Sequence, residues 1–454
     1  MNQLSILILA AGKGTRMYSD RAKVLHEIAG QSMISRVIDT ALQLQPDFIG
    51  AVIGHGKELV KAQTERPVQW IEQAEQLGTG HAVACALPYL PKDGVTLVLY
   101  GDVPLIDVPT LKALITAADN GKNTVLLTDT LNDPTGYGRI VRENNGHIVR
   151  IVEEKDALPE EKEIDEINTG IMVLPTAKIA DWTSRLKNAN AQGEYYLTDV
   201  IALSVADHIP VIGVALPAHY LAAGVNNKLQ QAELERIFQR QTAECLMTAG
   251  VTIADPNRFD VRGTLQCGKD VFIDINAVFE GECVLGNRVQ IGANCVLKNV
   301  QVADDTVIKP FSHLENCTIG NNAQIGPFAR LRPDTVLSDN VHIGNFVEVK
   351  KSTVKENSKI NHLTYIGDSD IGANTNIGAG TITCNYDGVN KFRTEIGDNV
   401  FIGSNTLLVA PVKVGNSATT GAGSVITKTC PNDKLTVARA KQITLDNWQR
   451  PVKK

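Results

Sequence analysis

The apolar stretch Leu4 to Ala11 runs directly into Gly12-Lys13-Gly14-Thr15-Arg16-Met17. Glycines in such a turn let backbone N–H groups approach a phosphate with no Cβ in the way. Lys13, Arg16 and Lys23 add cations that could surround a triphosphate. Met17 stands where a dinucleotide fingerprint would carry its third glycine, and the Walker spacing before Gly12-Lys13 is absent. A glycine turn with solvated charges would account for this loop alone. Tyr100-Gly101-Asp102 adds weight, because it ends an apolar strand. An aspartate at a strand's carboxyl end, where open α/β sheets bind ligands, is a natural Mg2+ ligand, although it can also cap the next element.

A second set of chemistry-bearing residues lies far downstream. Arg330-Leu331-Arg332-Pro333, Glu348-Val349-Lys350-Lys351 and Asn361-His362-Leu363-Thr364-Tyr365 precede the loop Thr383-Cys384-Asn385-Tyr386-Asp387-Gly388. Cations beside a histidine suit an anionic ligand and proton transfer, since the unperturbed imidazole titrates near pH ~6.5. The plain alternative is a solvated row of corner residues.

Two kinds of structure must position these sets. Up to about Asn227, short apolar strands alternate with amphipathic stretches, as in a Rossmann-like α/β domain with a mostly parallel sheet. Leu4–Leu9, Phe48–Ile53, Thr96–Tyr100 and Thr124–Leu127 are the clearest strands. Residues 228–250 read as a connecting helix with Leu234, Ile237, Phe238 and Cys245 on one face. From 251 to 454 a six-residue repeat takes over, anchored at Ile273, Phe279, Leu285, Ile291 and Leu297. After one-residue slips it continues through Val302, Ile308 and Leu314, then through Ile319 to Val349. Val354, Ile360, Ile366, Ile371 and Ile377 follow, and the repeat resumes after an inserted loop at Ile396, weakens at Thr420 and ends at Ile426. Three such hexads make one coil of a parallel β-helix, which stacks residues about 18 apart and lets Arg332, Lys350 and the neighbourhood of His362 converge. The expected domains are therefore 1–227, a linker helix 228–250, and 251–454 with a C-terminal tail.

At 454 residues the chain exceeds one ordinary core. Its 44 basic and 50 acidic residues leave a net charge of -6, which suggests neither a nucleic-acid nor a membrane partner. Leu4 to Ala11 is too short to span a bilayer. The eight cysteines show no metal-ligand or disulfide pattern, which fits a reducing, cytoplasmic setting, and Cys283 and Cys295 fall at inward positions of the repeat.

The first half also contains Gln73-Ala74-Glu75-Gln76-Leu77-Gly78-Thr79-Gly80, Gly136-Tyr137-Gly138-Arg139, Glu153, Glu166-Ile167-Asn168-Thr169-Gly170 and Gly224-Val225-Asn226-Asn227. These segments resemble the sugar-nucleotide pyrophosphorylases. The second half resembles the hexapeptide acyltransferases, which implies a left-handed β-helix. Across nearly its full length the chain is similar to the family of bifunctional N-acetylglucosamine-1-phosphate uridyltransferases and glucosamine-1-phosphate acetyltransferases. The resemblance implies acetyl transfer from acetyl-CoA to glucosamine-1-phosphate. It then implies uridyl transfer from UTP to give UDP-N-acetylglucosamine, a precursor of peptidoglycan and lipopolysaccharide. It assigns Leu9, Ala10, Ala11, Gly12, Lys23, Gln73, Gly78, Thr79, Tyr100, Gly101 and Asp102 to the nucleotide, with Arg16 and Lys23 catalytic. Gly138, Glu153, Asn168 and Asn226 go to the sugar nucleotide, with Asp102 and Asn226 sharing Mg2+. At the acetyl site it implies His362 as base assisted by Glu348, and Arg332, Lys350, Tyr365 and Asn376 on the sugar phosphate. Ala379, Asn385, Tyr386, Ser404, Ala422 and Arg439 would hold acetyl-CoA, in a homotrimer. Three residues depart from the family pattern: Ala22 in place of a proline, Ala223 in place of an acidic residue, and Thr420 in place of an aliphatic anchor. A pyrophosphorylase whose β-helix is structural or regulatory is the alternative.

Overall fold

The computed structural model describes residues 3–453 and divides into two compact units, Met1–Phe238 and Gln239–Lys454. In the first, the sheet runs in the order Val211–Ala215, Thr124–Thr130, Glu166–Pro175, Val95–Tyr100, Leu4–Ala10, Phe48–Ile53, Gln69–Glu72. Glu166–Pro175 is antiparallel to both its neighbours on this path, whereas the remaining neighbours pair in parallel. Both faces are covered. Ile6 and Ile8 enter one core and Leu7 and Leu9 the other, which explains why the first strand reads as an unbroken apolar run. Leu9 pairs with Tyr100 and Ile53 with Glu72. The segments entering Gly12, Asp102 and Gln73 therefore all leave the sheet at its carboxyl edge.

Lys228–Thr248 is one helix. Leu234 is buried in a small core with Met17 and Met33, and Ile237 and Phe238 pack on that core. Cys245, expected on the same face, is exposed. The reason is that the buried face shifts after Phe238: Gln239 donates to Val261 O and accepts from Val261 N–H, at 2.9 and 2.7 Å. Ala243 then enters the core of the second unit.

The second unit is a parallel β-helix of 24 strands. Every aliphatic anchor from Ile273 to Ile426 is at most 4 % exposed, as are Cys283 and Cys295. The strands stack in ladders such as Ile325, Ile343, Ile360, Ile377 and Ile402. Coil lengths are 18, 17, 16 at the last coil and, across the inserted loop, 25 residues, against the expected spacing of about 18 with one-residue slips. The slips are corners shortened by one residue. A left-handed residue usually follows three places after an anchor, as at Asn322, Phe328, Asp334 and Asn340. At the slips it comes after two, at Asn299, Asn316, Lys351 and Asp368. Thr420 is buried without loss of its hydrogen bonds, since its hydroxyl accepts from Gly403 N–H at 3.0 Å and meets Thr406 at 3.3 Å. Among the described residues no helix is long and apolar enough to cross a membrane.

Candidate active sites

At the carboxyl edge of the first sheet a cavity of about 220 Å³ is lined by Leu9, Ala10, Ala11, Gly12, Lys23, Gln73, Gly78, Thr79, Tyr100 and Asp102. These residues come from segments scattered over the first hundred positions. Gly101 lies beneath, where a Cβ would meet Ala10 at 3.0 Å. Gly78 has φ 111° and packs so closely on Tyr195 that an added Cβ would sit 2.6 Å from its carbonyl oxygen. Gln73 donates to Gly78 O at 3.0 Å, pinning this loop. Gln76, inside the Gln73–Gly80 segment, and Glu194 also line the cavity; Glu194 lies in none of the quoted motifs.

Lys23 reaches the cavity floor. Its ammonium donates to the Asp102 carboxylate and to Asn226 Oδ1, the latter at 3.2 Å. Val225 N–H donates to Asp102 O at 2.9 Å, and Asn226 N–H to Gln230 at 2.8 Å, so the two oxygen-bearing residues are tied together. Two oxygens aimed at one cationic centre fit a hard divalent ion. Mg2+ characteristically takes one or two protein oxygens and fills its shell with water and phosphate oxygen. Ala22 holds φ −54°, within the range a proline would impose, so this departure preserves the loop's path. Arg16 is exposed on the turn Thr15–Met17, outside the cavity lining. Ala223 lines a separate cavity of about 560 Å³ behind the Asn226 loop.

The proposed sugar residues form a second cluster. Gly138 pairs directly with Asn168, and a Cβ on Gly138 would come 3.5 Å from the Glu153 carboxyl. Asn168 Oδ1 accepts from Gly170 N–H at 3.1 Å. Burial raises the Glu153 pKa above the ordinary carboxylate value, opposed by a 2.9 Å hydrogen bond from Thr198 and reinforced by Asp199 and Asp156. Burial likewise pushes the Tyr100 phenol upward.

On the β-helix, Arg330 and Leu331 stack on Glu348 and Val349, which brings Arg332 beside Lys350; Arg332 donates to Glu348 at 2.8 Å. Lys350 in turn stacks on Gly367 and Glu348 on Tyr365. The Tyr365 hydroxyl lies over Gly367, only 2.4 Å from where a Cβ would stand. His362 is not stacked directly on the cations. It pairs with Asn345, because the intervening coil holds 17 residues. The left-handed corner residue Leu363 stands between it and the stretch Tyr365 to Gly367 that stacks on Glu348 and Lys350. Glu348 and Tyr365 occupy the face between. Asn376 belongs to the ladder His342, Lys359, Asn376, Phe401, on another face of the coil.

Of the residues assigned to acetyl-CoA, Ala379, Ser404 and Ala422 lie along one corner ladder continuing from His362. Gly380 N–H donates to His362 O, Asn405 N–H to Ala379 O, and Gly423 N–H to Ser404 O. Arg439 closes the row by donating to Ala422 O at 2.6 Å. The inserted loop is a hairpin, with Tyr386 bridged to Lys391. It is anchored by Asn385, whose side chain donates to Asp368 at 2.6 Å. This hairpin contributes a residue that repeat spacing could not reveal. The Lys391 ammonium faces Lys350 and is the main cause of its lowered pKa, followed by desolvation and Arg332. Arg332, Lys350 and Lys391 thus form one cationic cluster.

Three family models match the chain: the MobA-like NTP transferase domain over residues 6–194, the GMPPB C-terminal domain over 261–343 and 313–389, and the bacterial transferase hexapeptide (six repeats) over 393–428. The β-helix is accordingly the left-handed coil of hexapeptide transferases. Among curated relatives, the bifunctional protein GlmU of Chromobacterium violaceum is 59% identical over 100% of this chain and 100% of its own. That of Neisseria meningitidis serogroup B is 59% identical over 100% of this chain and 99% of its own. That of Janthinobacterium sp. (strain Marseille) is 56% identical, covering 99% of each. The chain belongs to the GlmU family of bifunctional proteins, and it is a nucleotidyltransferase and an acyltransferase in one polypeptide.

Proposed function

We propose that the two constellations act in sequence on one sugar phosphate. At the β-helix, the amine of glucosamine-1-phosphate attacks the thioester carbonyl of acetyl-CoA. His362 takes the amine proton, the C–N bond forms, and the C–S bond breaks to release coenzyme A. The phosphate rests on Arg332, Lys350 and Lys391, and Tyr365 and Glu348 face the sugar between this end and His362. The ladder Ala379, Ser404, Ala422 and Arg439, with Asn385 and Tyr386, receives acetyl-CoA. Its small side chains leave room beside the corner.

In the first unit the phosphate oxygen of N-acetylglucosamine-1-phosphate attacks the α-phosphorus of UTP, and pyrophosphate departs. Such a nucleophile is already anionic, so alignment and charge neutralisation suffice. Leu9 to Gly12, Gln73, Gly78, Thr79, Tyr100 and Gly101 bind the nucleotide; Gly138, Glu153 and Asn168 hold the sugar; Lys23 and Arg16 attend the triphosphate. Asp102 and Asn226 would hold Mg2+, which supplies neutralisation of phosphate charge when bound. The observation that carries the uridyl reading is the convergence of Lys23, Asp102 and Asn226 on the cavity floor.

We further propose a homotrimer. Asn376 projects from a different face of the coil than Lys350 and Tyr365, so one small sugar phosphate cannot touch them all within one chain. A neighbouring copy supplying Asn376 resolves the conflict. A cytoplasmic location accords with the free thiols and with the soluble substrates. Incubation with UTP, glucosamine-1-phosphate and Mg2+ tests the whole reading: UDP-N-acetylglucosamine must form with acetyl-CoA and not without it.

A further inference from the structure

We infer that Asn345, and not Glu348, orients the imidazole of His362. The inference rests on His362 being the proton acceptor of acetyl transfer. His362 Nδ1 lies 3.2 Å from Asn345 Oδ1, and the two residues are direct partners in the parallel ladder. Their proximity is therefore set by backbone register as well as by rotamer. That register has little freedom. A Cβ on neighbouring Gly344 would stand 1.9 Å from Asn361 O, so these coils are at closest approach here. The corner residues Phe346 and Leu363 are both left-handed, at φ 54° and 48°, and Phe346 stacks on Phe328 at 5.2 Å. The His362 carbonyl accepts from Gly380 N–H at 3.2 Å and from the Thr364 hydroxyl at 2.6 Å, which anchors the ring's own backbone.

Glu348 is placed otherwise. Its carboxylate accepts from Arg332 at 2.8 Å, and it pairs with Tyr365, further along the strand than His362.

An amide oxygen can only accept, so it selects the tautomer with the proton on Nδ1 and leaves the Nε2 lone pair available to the substrate amine. A carboxylate in that place would select the same tautomer but would also favour the imidazolium, which cannot act as a base. Asn345 thus aims and primes the ring without charging it, as a positioning residue.

The test uses the full-length chain, 15N-labelled at histidine, with acetylation kinetics measured on the same samples. Wild type is expected to show an unprotonated Nε2 for His362 at pH 8. Asn345→Ala should mix the tautomers and lower kcat of acetylation roughly tenfold or more, in the range typical of removing a histidine's orienting partner. KM for glucosamine-1-phosphate should stay unchanged. Asn345→Asp should restore the tautomer and move the acid limb of the kcat/KM profile to higher pH. Glu348→Gln should leave the His362 nitrogen signature as in wild type. Wild-type kcat, pH profile and nitrogen signature in Asn345→Ala would overturn the inference, as would loss of the signature in Glu348→Gln. Wild-type acetylation by His362→Ala would instead overturn the base assignment, a separate failure.

Discussion

The Lys23 ammonium sits 3.2 Å from Asn226 Oδ1 while also donating to the Asp102 carboxylate, so a side-chain cation holds the place where two oxygens converge. A divalent ion held by Asp102 and Asn226 would compete with Lys23 for these oxygens. Lys23, no longer held by them, would be free to meet triphosphate oxygen. Asp102→Ala should therefore lower uridyl transfer by about 10²- to 10³-fold, the usual cost of removing one preorganised charge-stabilising group. Acetylation should continue at the wild-type rate, because Asp102 and the β-helix belong to different units. Paired assays on one preparation decide this; equal loss of both activities in a folded variant would sink the division of labour.

The boundary between the units makes a second prediction. A fragment ending at Gln230 would lose Leu234, Ile237 and Phe238, which cover Met17 and Met33. It would also lose Phe238 beneath the Arg36 guanidinium, 4.1 Å from the ring centroid, and Glu235, which accepts from Ala29 N–H at 2.6 Å. A fragment ending at Phe238 keeps all three. Truncating one buried leucine alone costs roughly 2 to 5 kcal/mol. The longer fragment should melt several degrees higher and retain uridyl transfer. Equal melting temperatures would show that the helix does not stabilise the first unit.

Much of this was legible in the sequence because hydrophobic period is a strong signal. The anchors from Ile273 to Ile426 could be read one by one, and each is buried. The glycine loop and Asp102 were legible because an unbroken apolar strand preceded each. What spacing could not give was the length of individual coils. A corner shortened by one residue sets His362 on Asn345, where an 18-residue coil would have set it on Gly344, and the sequence shows only a slip in period. The Cys245 side of the linker helix was misread for a related reason: Gln239, a polar residue, is buried through paired hydrogen bonds to Val261, and hydrophobicity cannot reveal such a contact. Lys391 escaped because an inserted loop follows no repeat.

Glu153 provides a pH-dependent test. Burial raises its pKa in the folded chain, so the charged form costs stability. That cost is absent below the ordinary carboxylate range, grows as pH rises through the folded-state value, and stays constant above it. Glu153→Gln removes it. The variant should therefore melt higher than wild type at pH 8, with the gap closing towards pH ~4. The same substitution should raise KM for N-acetylglucosamine-1-phosphate. A gap that widened on acidification would contradict the direction of the shift.

Lys391 reaches the cationic cluster from the inserted hairpin, and its cost and its use have one origin. Facing Lys350, it lowers that residue's pKa, with Arg332 adding to the effect; like charges gathered without an anion repel one another. A phosphate turns this repulsion into attraction, since a charge-assisted contact to a cation is worth about 1.5 to 3 kcal/mol. Lys391→Ala should therefore raise KM for glucosamine-1-phosphate by about 10- to 100-fold and change kcat of acetylation little, because the lysine stands at the phosphate end and not beside His362. The alkaline side of the profile separates this from simple damage to the hairpin. With Lys391 gone, Lys350 holds its proton to higher pH, so the alkaline limb of kcat/KM for the sugar phosphate should move upward even as its plateau falls. The wild-type limb, by contrast, should retreat first as pH rises. Steady-state acetylation from pH 7 to 10 on both proteins measures both effects. An unchanged KM would remove Lys391 from the phosphate site, and a lower plateau with an unmoved limb would show that it does not act on Lys350.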